Sequence, residues 1–308
     1  MPALTVTVPD ADLLDRLGPP PSGIRYAVWD LAERSGAPAG PLDLVVMPYM
    51  APAPVLDALA GLEVRAVQSL ALGYDRVADH LVPEVVFCNA AGVHEGATAE
   101  HAVALVLAAQ RELPAFGDQQ RAGQWRQDLA PGLIGRRVLI VGTGGVGEAV
   151  RSRLAPFEVE IVRCATRARE DEHGRVHAAA ELPELLPAAD VVVLAVPLTP
   201  ATRHLVDARF LAALPAGALV VNVARGPVVD TEALLAALTA GRVRAALDVT
   251  DPEPLPADHP LRTAPGLILT PHVAGRTTTM AGRLARLVRD QATRLAEGRP
   301  LANRVTLH

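Results

Sequence analysis

The stretch R-V-L-I-V-G-T-G-G-V-G-E-A-V-R-S-R-L, residues 137–154, decides the fold. It begins with five residues typical of a buried strand, passes through a glycine-rich turn and ends in a segment of helical character. In a strand-to-helix setting, G-x-G-x-x-G spacing allows a tight turn and the close approach of a diphosphate, which the helix N-terminus stabilises. The stretch therefore predicts a dinucleotide-binding α/β domain. The predicted binding residues are Gly142, Thr143, Gly144, Gly145, Val146 and Gly147.

The residues after the next predicted strand bear on which dinucleotide is bound. An acidic side chain is usual there, because it binds the ribose hydroxyls and repels a 2'-phosphate. Here Ala165 is followed by Thr166 and Arg167, and Arg169 lies close behind. A hydroxyl and positive charge favour a phosphate, although arginine is common in this chain and the missing acid is the better evidence. We predict NADP as the preferred coenzyme, keep NAD as the alternative, and assign Thr166 and Arg167 to binding.

The composition is that of a two-domain protein with a large aliphatic core. The 308 residues exceed one ordinary domain, and half of them are hydrophobic while a fifth are charged. A net charge of −5 provides no basic face for nucleic acid. No apolar run is long enough to span a membrane, and the N-terminus lacks the basic start of a secretory signal. We predict a cytoplasmic protein with no nucleic-acid or membrane partner.

Cysteine, lysine and histidine usage limits the chemistry. The chain contains no lysine, which excludes Schiff-base catalysis and the lysine of a P-loop. Cys88 and Cys164 are far apart and form no Cys-x-x-Cys pattern, so free thiols are expected rather than a disulfide or a metal site. One acidic and histidine cluster lacks the H-E-x-x-H spacing of a zinc site, so we predict no metal. That cluster consists of His94, Glu95, Glu100 and His101.

Short runs of Val, Ile and Leu separated by helix-like segments predict parallel strands buried on both faces. The runs form two series. The first comprises Leu4–Val8, Ile24–Trp29, Leu42–Met47, Val64–Leu70 and Val85–Asn89. The second comprises Arg137–Val141, Val159–Cys164, Asp190–Val196, Ala218–Val223, Arg244–Val249 and Leu267–Thr270.

Three further segments have distinct predicted structures. Thr98–Ala109 predicts a buried helix, with Thr98 as its cap and no breaker before Pro114. Gly117–Gly135 is polar, contains Trp125 and predicts an extended arm over a surface or a partner subunit. Thr277–Glu297 has Arg and aliphatic residues at helical spacing, which predicts an amphipathic helix.

Reactive side chains follow three predicted strands of the second series. They lie in Val223-Ala224-Arg225-Gly226, in Asp248-Val249-Thr250-Asp251-Pro252-Glu253-Pro254 and in Thr270-Pro271-His272-Val273-Ala274-Gly275. In an open parallel sheet, the loops at the carboxyl ends of the strands line the ligand crevice. We therefore expect an arginine, carboxylates and a histidine to converge near the nicotinamide, as proton transfer beside a hydride carrier requires.

These motifs together resemble the D-isomer-specific 2-hydroxyacid dehydrogenases over nearly the whole chain. The family's arginine motif matches residues 221–226, its acidic motif 248–254 and its histidine motif 270–275. Residues 197–203 and 99–101 match as well. The resemblance implies two doubly wound, parallel-sheet α/β (Rossmann-like) domains with a cleft between them. The discontinuous substrate domain would be residues 1–95 plus 281–308, and the NAD(P)-binding domain residues 96–280.

The resemblance also implies roles for individual residues. His272 would be the catalytic acid and base, and Glu253 would orient its imidazole and keep it protonated to higher pH. Arg225 would bind the substrate carboxylate and polarise the carbonyl. Asp248 matches a position near this pair, where a structural role and coenzyme binding both stay open. The coenzyme loop would also include Val196, Pro197 and Ala224.

The substrate domain would contribute its own contacts. The loop Leu70-Ala71-Leu72-Gly73-Tyr74-Asp75 matches the family loop whose N–H groups, here of Leu72 and Gly73, hold the substrate carboxylate. Tyr49 and Met50 follow another strand and either close the pocket or pack in the core. Formate-oxidising members carry an amide at the position of Glu253 and phosphite-oxidising members a lysine at that of Leu72. Both specialised chemistries are therefore disfavoured.

The resemblance implies an NAD(P)H-dependent enzyme that interconverts a small 2-oxo acid, such as glyoxylate or hydroxypyruvate, and its D-2-hydroxy acid. A homodimer formed through the coenzyme domain is implied too, with the helix from Thr98 and the arm around Trp125 as candidate interface. The alternative is a dinucleotide-sensing, corepressor-type binding protein with little or no turnover. Intact Arg225, Glu253 and His272 do not separate the two, because sensors of this fold can retain all three.

Overall fold

The computed structural model describes residues 3–307. The chain divides into two compact units, formed by the described parts of Met1–His94 with Thr277–His308 and of Glu95–Arg276. This division lies within four residues of the boundaries expected from the sequence. The assignment of substrate and coenzyme binding to the two units stays a prediction.

Short strands alternate with helices through much of the chain. The strands are β1 Leu4–Val8, β2 Ile24–Val28, β3 Leu44–Val46, β4 Ala66–Gln68, β5 Val86–Cys88, β6 Arg137–Val141, β7 Glu160–Ala165, β8 Arg169–Asp171, β9 Gly174–Ala178, β10 Val191–Leu194, β11 Ala218–Asn222, β12 Val243–Leu247, β13 Leu267–Leu269 and β14 Arg304–Val305. The α-helices are α1 Ala11–Leu17, α2 Glu95–Gln110, α3 Leu113–Arg121, α4 Gly145–Leu154, α5 Leu182–Leu185, α6 Ala208–Ala213, α7 Thr231–Thr239 and α8 Met280–Ala296. Short 3₁₀ helices occupy Arg34–Gly36, Ala53–Leu59, Val77–Asp79, Ala155–Phe157, Ala179–Glu181, Leu186–Ala188, Gly226–Val228 and Pro260–Thr263.

The first unit contains a six-stranded sheet in the order β14-β5-β4-β3-β1-β2. All its pairings are parallel except that of β14 with β5. Helix α8 buries Leu284, Ala285, Val288 and Leu295 against the residues of β1 and α1, at the spacing of a single helical face. The predicted amphipathic helix is thus present, although it begins at Met280 rather than Thr277.

The second unit contains an eight-stranded sheet in the order β13-β12-β11-β10-β6-β7-β9-β8. Its strands are parallel apart from β8, which is antiparallel to β9. The chain reverses direction across the sheet between β6 and β10, and a doubly wound fold binds its ligand at such a switch point. Buried aliphatic clusters cover both faces of the sheet, as the near-continuous hydrophobic strands require.

All strands of the two predicted series are present, most with ends one or two residues shorter. The helix prediction for residues 98–109 and the prediction of an extended arm over residues 117–135 were each wrong in part. Helix α2 begins at Glu95, so Thr98 lies inside it and is not its cap, because Gly96 and Ala97 continue the helix. The first part of the predicted arm is helical, because Pro114 lies in the first turn of α3, where its missing N–H costs nothing.

The remainder of the arm has no regular structure but is tied down at both ends. The Gln119 amide donates to Asp128 Oδ2 at 3.0 Å, and Gly132 donates its N–H to the Gln110 carbonyl. Between these points Trp125 is 91% exposed and Leu129 is fully exposed. The arm therefore presents large apolar side chains to its surroundings.

The positions of the two thiols in the fold disfavour their ionisation. Both cysteines are free and buried, and burial raises the pKa of Cys88 and of Cys164 to about 11. These thiols are therefore poor nucleophiles.

Among residues 3–307, no helix is both long and apolar enough to cross a membrane.

Candidate active site

The glycine loop joins β6 to α4, and at two of its positions, Gly142 and Gly147, there is no room for a side chain. Gly142 has a φ of 106°, and a Cβ there would lie 2.2 Å from the Ala195 carbonyl oxygen. A Cβ on Gly147 would lie 1.9 Å from the Gly142 carbonyl oxygen. Around Gly144, the N-cap of α4, a Cβ would meet nothing within 4 Å. The packed glycines hold the helix N-terminus close to the strand end, and the open side leaves space for a diphosphate.

The end of β7 carries no carboxylate. The strand ends at Ala165, and Thr166 and Arg167 are exposed after it. Arg169 extends back to the glycine loop, where its Nη2 donates to Thr143 Oγ1 at 2.7 Å. The loop that would surround an adenosine ribose therefore presents hydroxyls and positive charge.

Arg169 is held in this place by a hairpin that is not among the strands predicted from the sequence. Strands β8 and β9 form the edge of the sheet, and the buried Arg163 binds both oxygens of Asp171 at 2.7 Å. This hydrogen bonding, with the charge of Arg163, lowers the pKa of Asp171 to about 2. The hairpin therefore stays ion-paired throughout the physiological pH range.

The arginine loop follows β11 and is clamped by Asn222, which is completely buried. Asn222 Oδ1 accepts from the Ala224 N–H at 3.0 Å, and its Nδ2 donates to the Arg225 carbonyl at 2.9 Å. A Cβ on Gly226 would lie 1.9 Å from the Thr250 carbonyl oxygen. The arginine loop and the acidic loop are therefore packed directly against each other. Asn222 and Gly226 lie within the arginine motif of residues 221–226, but the sequence assigned neither of them a role.

His272 and Glu253 form the central pair of the site. His272 Nδ1 lies 2.5 Å from Glu253 Oε1, and their side chains are 30% and 38% exposed. Burial by itself raises the pKa of Glu253, but the hydrogen bond and charge of His272, the Thr250 N–H and the charge of Arg225 outweigh it and lower this pKa below its ordinary value. Glu253 is therefore ionised at neutral pH, and Nε2 is left as the ring nitrogen for proton transfer.

Asp248 lies behind this pair and is 2% exposed. Its carboxylate accepts from Thr270 Oγ1 at 2.6 Å and from the N–H groups of Val273 and Ala274 at 2.9 Å each. The His272 N–H donates to the Asp248 carbonyl at 2.7 Å, and His272 has a φ of 52°. The sequence left a structural role and coenzyme binding open for Asp248. Its contacts support the structural role, because they hold the backbone beside His272. Coenzyme binding by Asp248 stays a prediction.

In the first unit, two side chains form hydrogen bonds to backbone carbonyls of the predicted substrate loop. Asn89 Nδ2 donates to the Leu72 carbonyl at 2.9 Å, and His94 Nε2 lies 2.8 Å from the Leu70 carbonyl oxygen. Tyr49 stacks on His94 with ring centroids 5.6 Å apart. Met50 is 46% exposed, so the alternative that it packs in the core is wrong. Tyr49, in contrast, packs against the hydrophobic core of this unit. Substrate contacts of these residues stay predictions.

The histidines of the suspected metal cluster have other partners. His94 is bound to a backbone carbonyl, and His101 Nε2 lies 2.9 Å from Thr270 Oγ1. Within residues 3–307, no three His, Cys, Asp or Glu side chains are grouped as a metal site requires.

The strand order brings the reactive loops of the second unit to one edge. Five neighbouring parallel strands each lead into one of these loops. Strand β6 is followed by the glycine loop, β10 by Val196 and Pro197, β11 by Arg225, β12 by Glu253 and β13 by His272. Their carboxyl ends therefore meet. The arrangement places an arginine and a carboxylate-supported histidine beside a loop suited to a dinucleotide. It can bind an anionic substrate and exchange a proton with it.

Comparison with known proteins identifies relatives of the same organisation. A family model described as D-isomer specific 2-hydroxyacid dehydrogenase, NAD binding domain, matches residues 103–274. The glyoxylate reductase of Thermofilum pendens is 35% identical over 76% of this chain and 72% of its own. The human glyoxylate reductase/hydroxypyruvate reductase is 32% identical over 82% of this chain and 80% of its own.

Solved structures give the same result for the fold. The NADPH-dependent glyoxylate/hydroxypyruvate reductase of Sinorhizobium meliloti, in complex with NADP and malonate, superposes with a TM-score of 0.80 at 28% identity. That superposition covers 98% of this chain and 97% of the other.

Proposed function

We propose that this chain, which belongs to the D-isomer-specific 2-hydroxyacid dehydrogenase family, reduces small 2-oxo acids. Glyoxylate and hydroxypyruvate are examples, and the products are D-2-hydroxy acids. The observation that carries the proposal is the contact between His272 and an ionised Glu253, at the same sheet edge as Arg225 and the glycine loop. The relatives described above have enzyme names, and they give no support to the corepressor alternative.

In the proposed reaction, His272 acts as the general acid. A reduced nicotinamide coenzyme, when bound, supplies the hydride to the carbonyl carbon. His272 Nε2 donates the proton to the carbonyl oxygen, so that the C=O double bond becomes a C–O single bond and a C–H and an O–H bond form. The same nitrogen accepts this proton in the reverse direction. Glu253 fixes the ring through Nδ1 and stabilises its positive charge.

Arg225 holds the substrate in this proposal. Its planar guanidinium binds the carboxylate and lies near the carbonyl oxygen, where negative charge develops. The N–H groups of Leu72 and Gly73 contribute further donors to the carboxylate, as the family resemblance implies. Steady-state reduction of a panel of glyoxylate, hydroxypyruvate, pyruvate, phenylpyruvate and longer 2-oxo acids, with formate oxidation alongside, tests the proposal. No turnover of any 2-oxo acid would overturn it.

NADPH is the proposed coenzyme in preference to NADH. Support comes from the missing carboxylate at Ala165 and from Thr166, Arg167 and Arg169 around the same loop. The solved reductase from Sinorhizobium meliloti is described as NADPH-dependent, which agrees with this choice. A phosphate bound by arginine contributes about 1.5–3 kcal/mol per charge-assisted hydrogen bond.

An Ala165→Asp substitution should change the coenzyme preference. The new carboxylate would bind the ribose hydroxyls and repel a 2'-phosphate, so the ratio of kcat/KM for NADPH to that for NADH should fall by about 100-fold. Fluorescence titration of both coenzymes gives the same comparison without turnover. Arg209→Gln, at an exposed position on α6, is the matched control and should leave the ratio unchanged. An unchanged ratio in Ala165→Asp would contradict the assignment of this loop.

Replacing Glu253 by glutamine should shift the pH profile of reduction. The pKa of Glu253 is below its ordinary value, so the carboxylate is ionised at neutral pH and favours a protonated His272. Glutamine keeps a hydrogen-bond acceptor but removes the charge. Since reduction needs the protonated ring, the alkaline limb of kcat/KM should move to lower pH by about one unit. Oxidation needs the neutral ring, so its acidic limb should move to lower pH as well.

The control for this profile is Asp57→Asn. Asp57 Oδ1 lies 2.9 Å from His80 Nδ1, which makes a similar histidine–carboxylate pair in the first unit. Its profile should match that of the unmodified protein. If the limbs of Glu253→Gln coincide with those of the unmodified protein, Glu253 does not stabilise the charge of His272.

A cytoplasmic homodimer is proposed as well, formed through the second unit. Its support is the apolar surface of the arm, where Trp125, Leu129 and Ile134 are 91%, 100% and 73% exposed. Patches of large apolar side chains commonly mark protein interfaces. A monomeric mass in analytical ultracentrifugation would contradict this part of the proposal.

A further inference from the structure

A hydrogen-bonded cluster connects helix α2 to the loop that carries His272. His101 Nε2, on α2, lies 2.9 Å from Thr270 Oγ1 and 3.5 Å from Asp248 Oδ1. Thr270 Oγ1 lies 2.6 Å from the same carboxylate oxygen. The Asp248 side chain is 1% exposed and that of His101 is 23% exposed. His101 lies in the segment 99–101 that matches the family, but the resemblance assigns it no part in the reaction.

The direction of each hydrogen bond follows from the number of protons available. Both oxygens of the Asp248 carboxylate accept from backbone N–H groups, so the carboxylate acts as the acceptor and the single hydroxyl proton of Thr270 points to it. The Thr270 oxygen is then an acceptor toward α2, and His101 Nε2 must carry a proton to donate to it. The hydrogen bonds of this cluster therefore require that the imidazole of His101 carry a proton on Nε2.

The cluster acts on the backbone on both sides of His272. The N–H groups of Val273 and Ala274 donate to the two oxygens of Asp248 at 2.9 Å each. The His272 N–H donates to the Asp248 carbonyl at 2.7 Å. Rotation of the buried carboxylate would break its bonds to the N–H groups of Val273 and Ala274 and let the backbone next to His272 shift, and Thr270 together with His101 restrains that rotation.

We propose that His101 is a positioning residue for His272, which acts through its donation to Thr270 and the resulting orientation of the Asp248 carboxylate. This inference rests on the proposed function, because it assigns His101 to the same reaction. A catalytic base displaced by a fraction of an ångström loses much of its rate advantage. The effect is therefore expected in kcat and not in coenzyme binding.

His101→Phe and His101→Gln test the proposal as a matched pair. Phenylalanine keeps a ring but has no donor, whereas the Nε2 of glutamine can replace that of histidine. We expect kcat to fall about tenfold in His101→Phe and to recover to within about threefold in His101→Gln, with an unchanged NADPH dissociation constant. Thr270→Val also removes the bond from Thr270 to Asp248, so it should lose at least as much as His101→Phe, and the double variant should be no worse than Thr270→Val alone. An unchanged kcat in His101→Phe, or equal losses in the two His101 variants, would overturn the proposal.

Nitrogen-15 NMR of histidine-labelled protein provides a test independent of turnover. The His101 signals should show a proton on Nε2 in the unmodified protein, and they should change in Thr270→Val. A proton on Nδ1 alone would overturn the proposal even if the enzyme is active. If no 2-oxo acid is turned over but the Nε2 proton is found, the proposed function has failed while the hydrogen-bonded cluster stands.

Discussion

Replacing His272 by glutamine is expected to lower kcat/KM for 2-oxo acid reduction by about 10²- to 10⁴-fold, the usual contribution of a positioned general acid. Glutamine has a similar length and can still bond to Glu253, but its amide has no proton to release at neutral pH. The dissociation constant of NADPH should change little, because the proposed coenzyme contacts lie in other loops. Steady-state rates and a fluorescence titration measure the two quantities separately.

His80→Gln is the matched control for this variant. Its imidazole also pairs with a carboxylate, at 2.9 Å from Asp57 Oδ1, but it belongs to none of the reactive loops. A loss confined to His272→Gln would connect the effect to proton transfer rather than to a missing histidine–carboxylate pair. Undiminished turnover of every 2-oxo acid in His272→Gln would show that the mechanism is wrong.

The parts of the fold that local sequence determines were predictable. A buried parallel strand needs a run of aliphatic residues regardless of its partner, so each run of the two series became a strand. The glycine turn carries its own conformational requirement, since Gly142 has a φ of 106° and tolerates no Cβ. Both signals are present within a few residues of chain.

The parts that depend on distant contacts were not predictable. Strand β8 is a short, exposed run of charged residues, and the ion pair between Arg163 and Asp171 joins it to β7. No local pattern indicates such a strand. In the sequence Arg169 indicates only positive charge near the loop, whereas in the structure the hairpin places it within hydrogen-bonding distance of Thr143.

The candidate site divides in the same way. Arg225, Glu253 and His272 were predicted because each follows a strand within a recognisable motif. The residues that hold them were missed, since Asn222 acts through its neighbours' backbone and His101 reaches Thr270 from 169 residues away. The structural role of Asp248 could be decided only when its three donors were known. Motifs thus reveal the groups that react, and three-dimensional structure reveals the groups that orient them.

Substitution of Arg225 is expected to have an effect as large as that of His272, with a graded response. Arg225→Lys keeps the charge but loses the planar pair of donors, and we expect kcat/KM to fall by about 10²-fold. Arg225→Met also removes the charge that would stabilise the developing oxyanion, which should bring the loss to about 10³-fold or more. The same change removes a charge that helps to lower the pKa of Glu253.

The two arginine variants distinguish carboxylate binding from charge stabilisation. If Arg225 binds the carboxylate through both donors, the lysine variant should lose mainly in KM, because a point charge holds a planar anion less firmly. If it stabilises the transition state as well, the methionine variant should lose additional kcat. Arg209→Lys, at an exposed position on α6, provides the control and should retain full activity. Equal activity of Arg225→Lys and the unmodified protein would mean that the guanidinium fork is not used, and the carboxylate would then have to be held by backbone N–H groups such as those of Leu72 and Gly73.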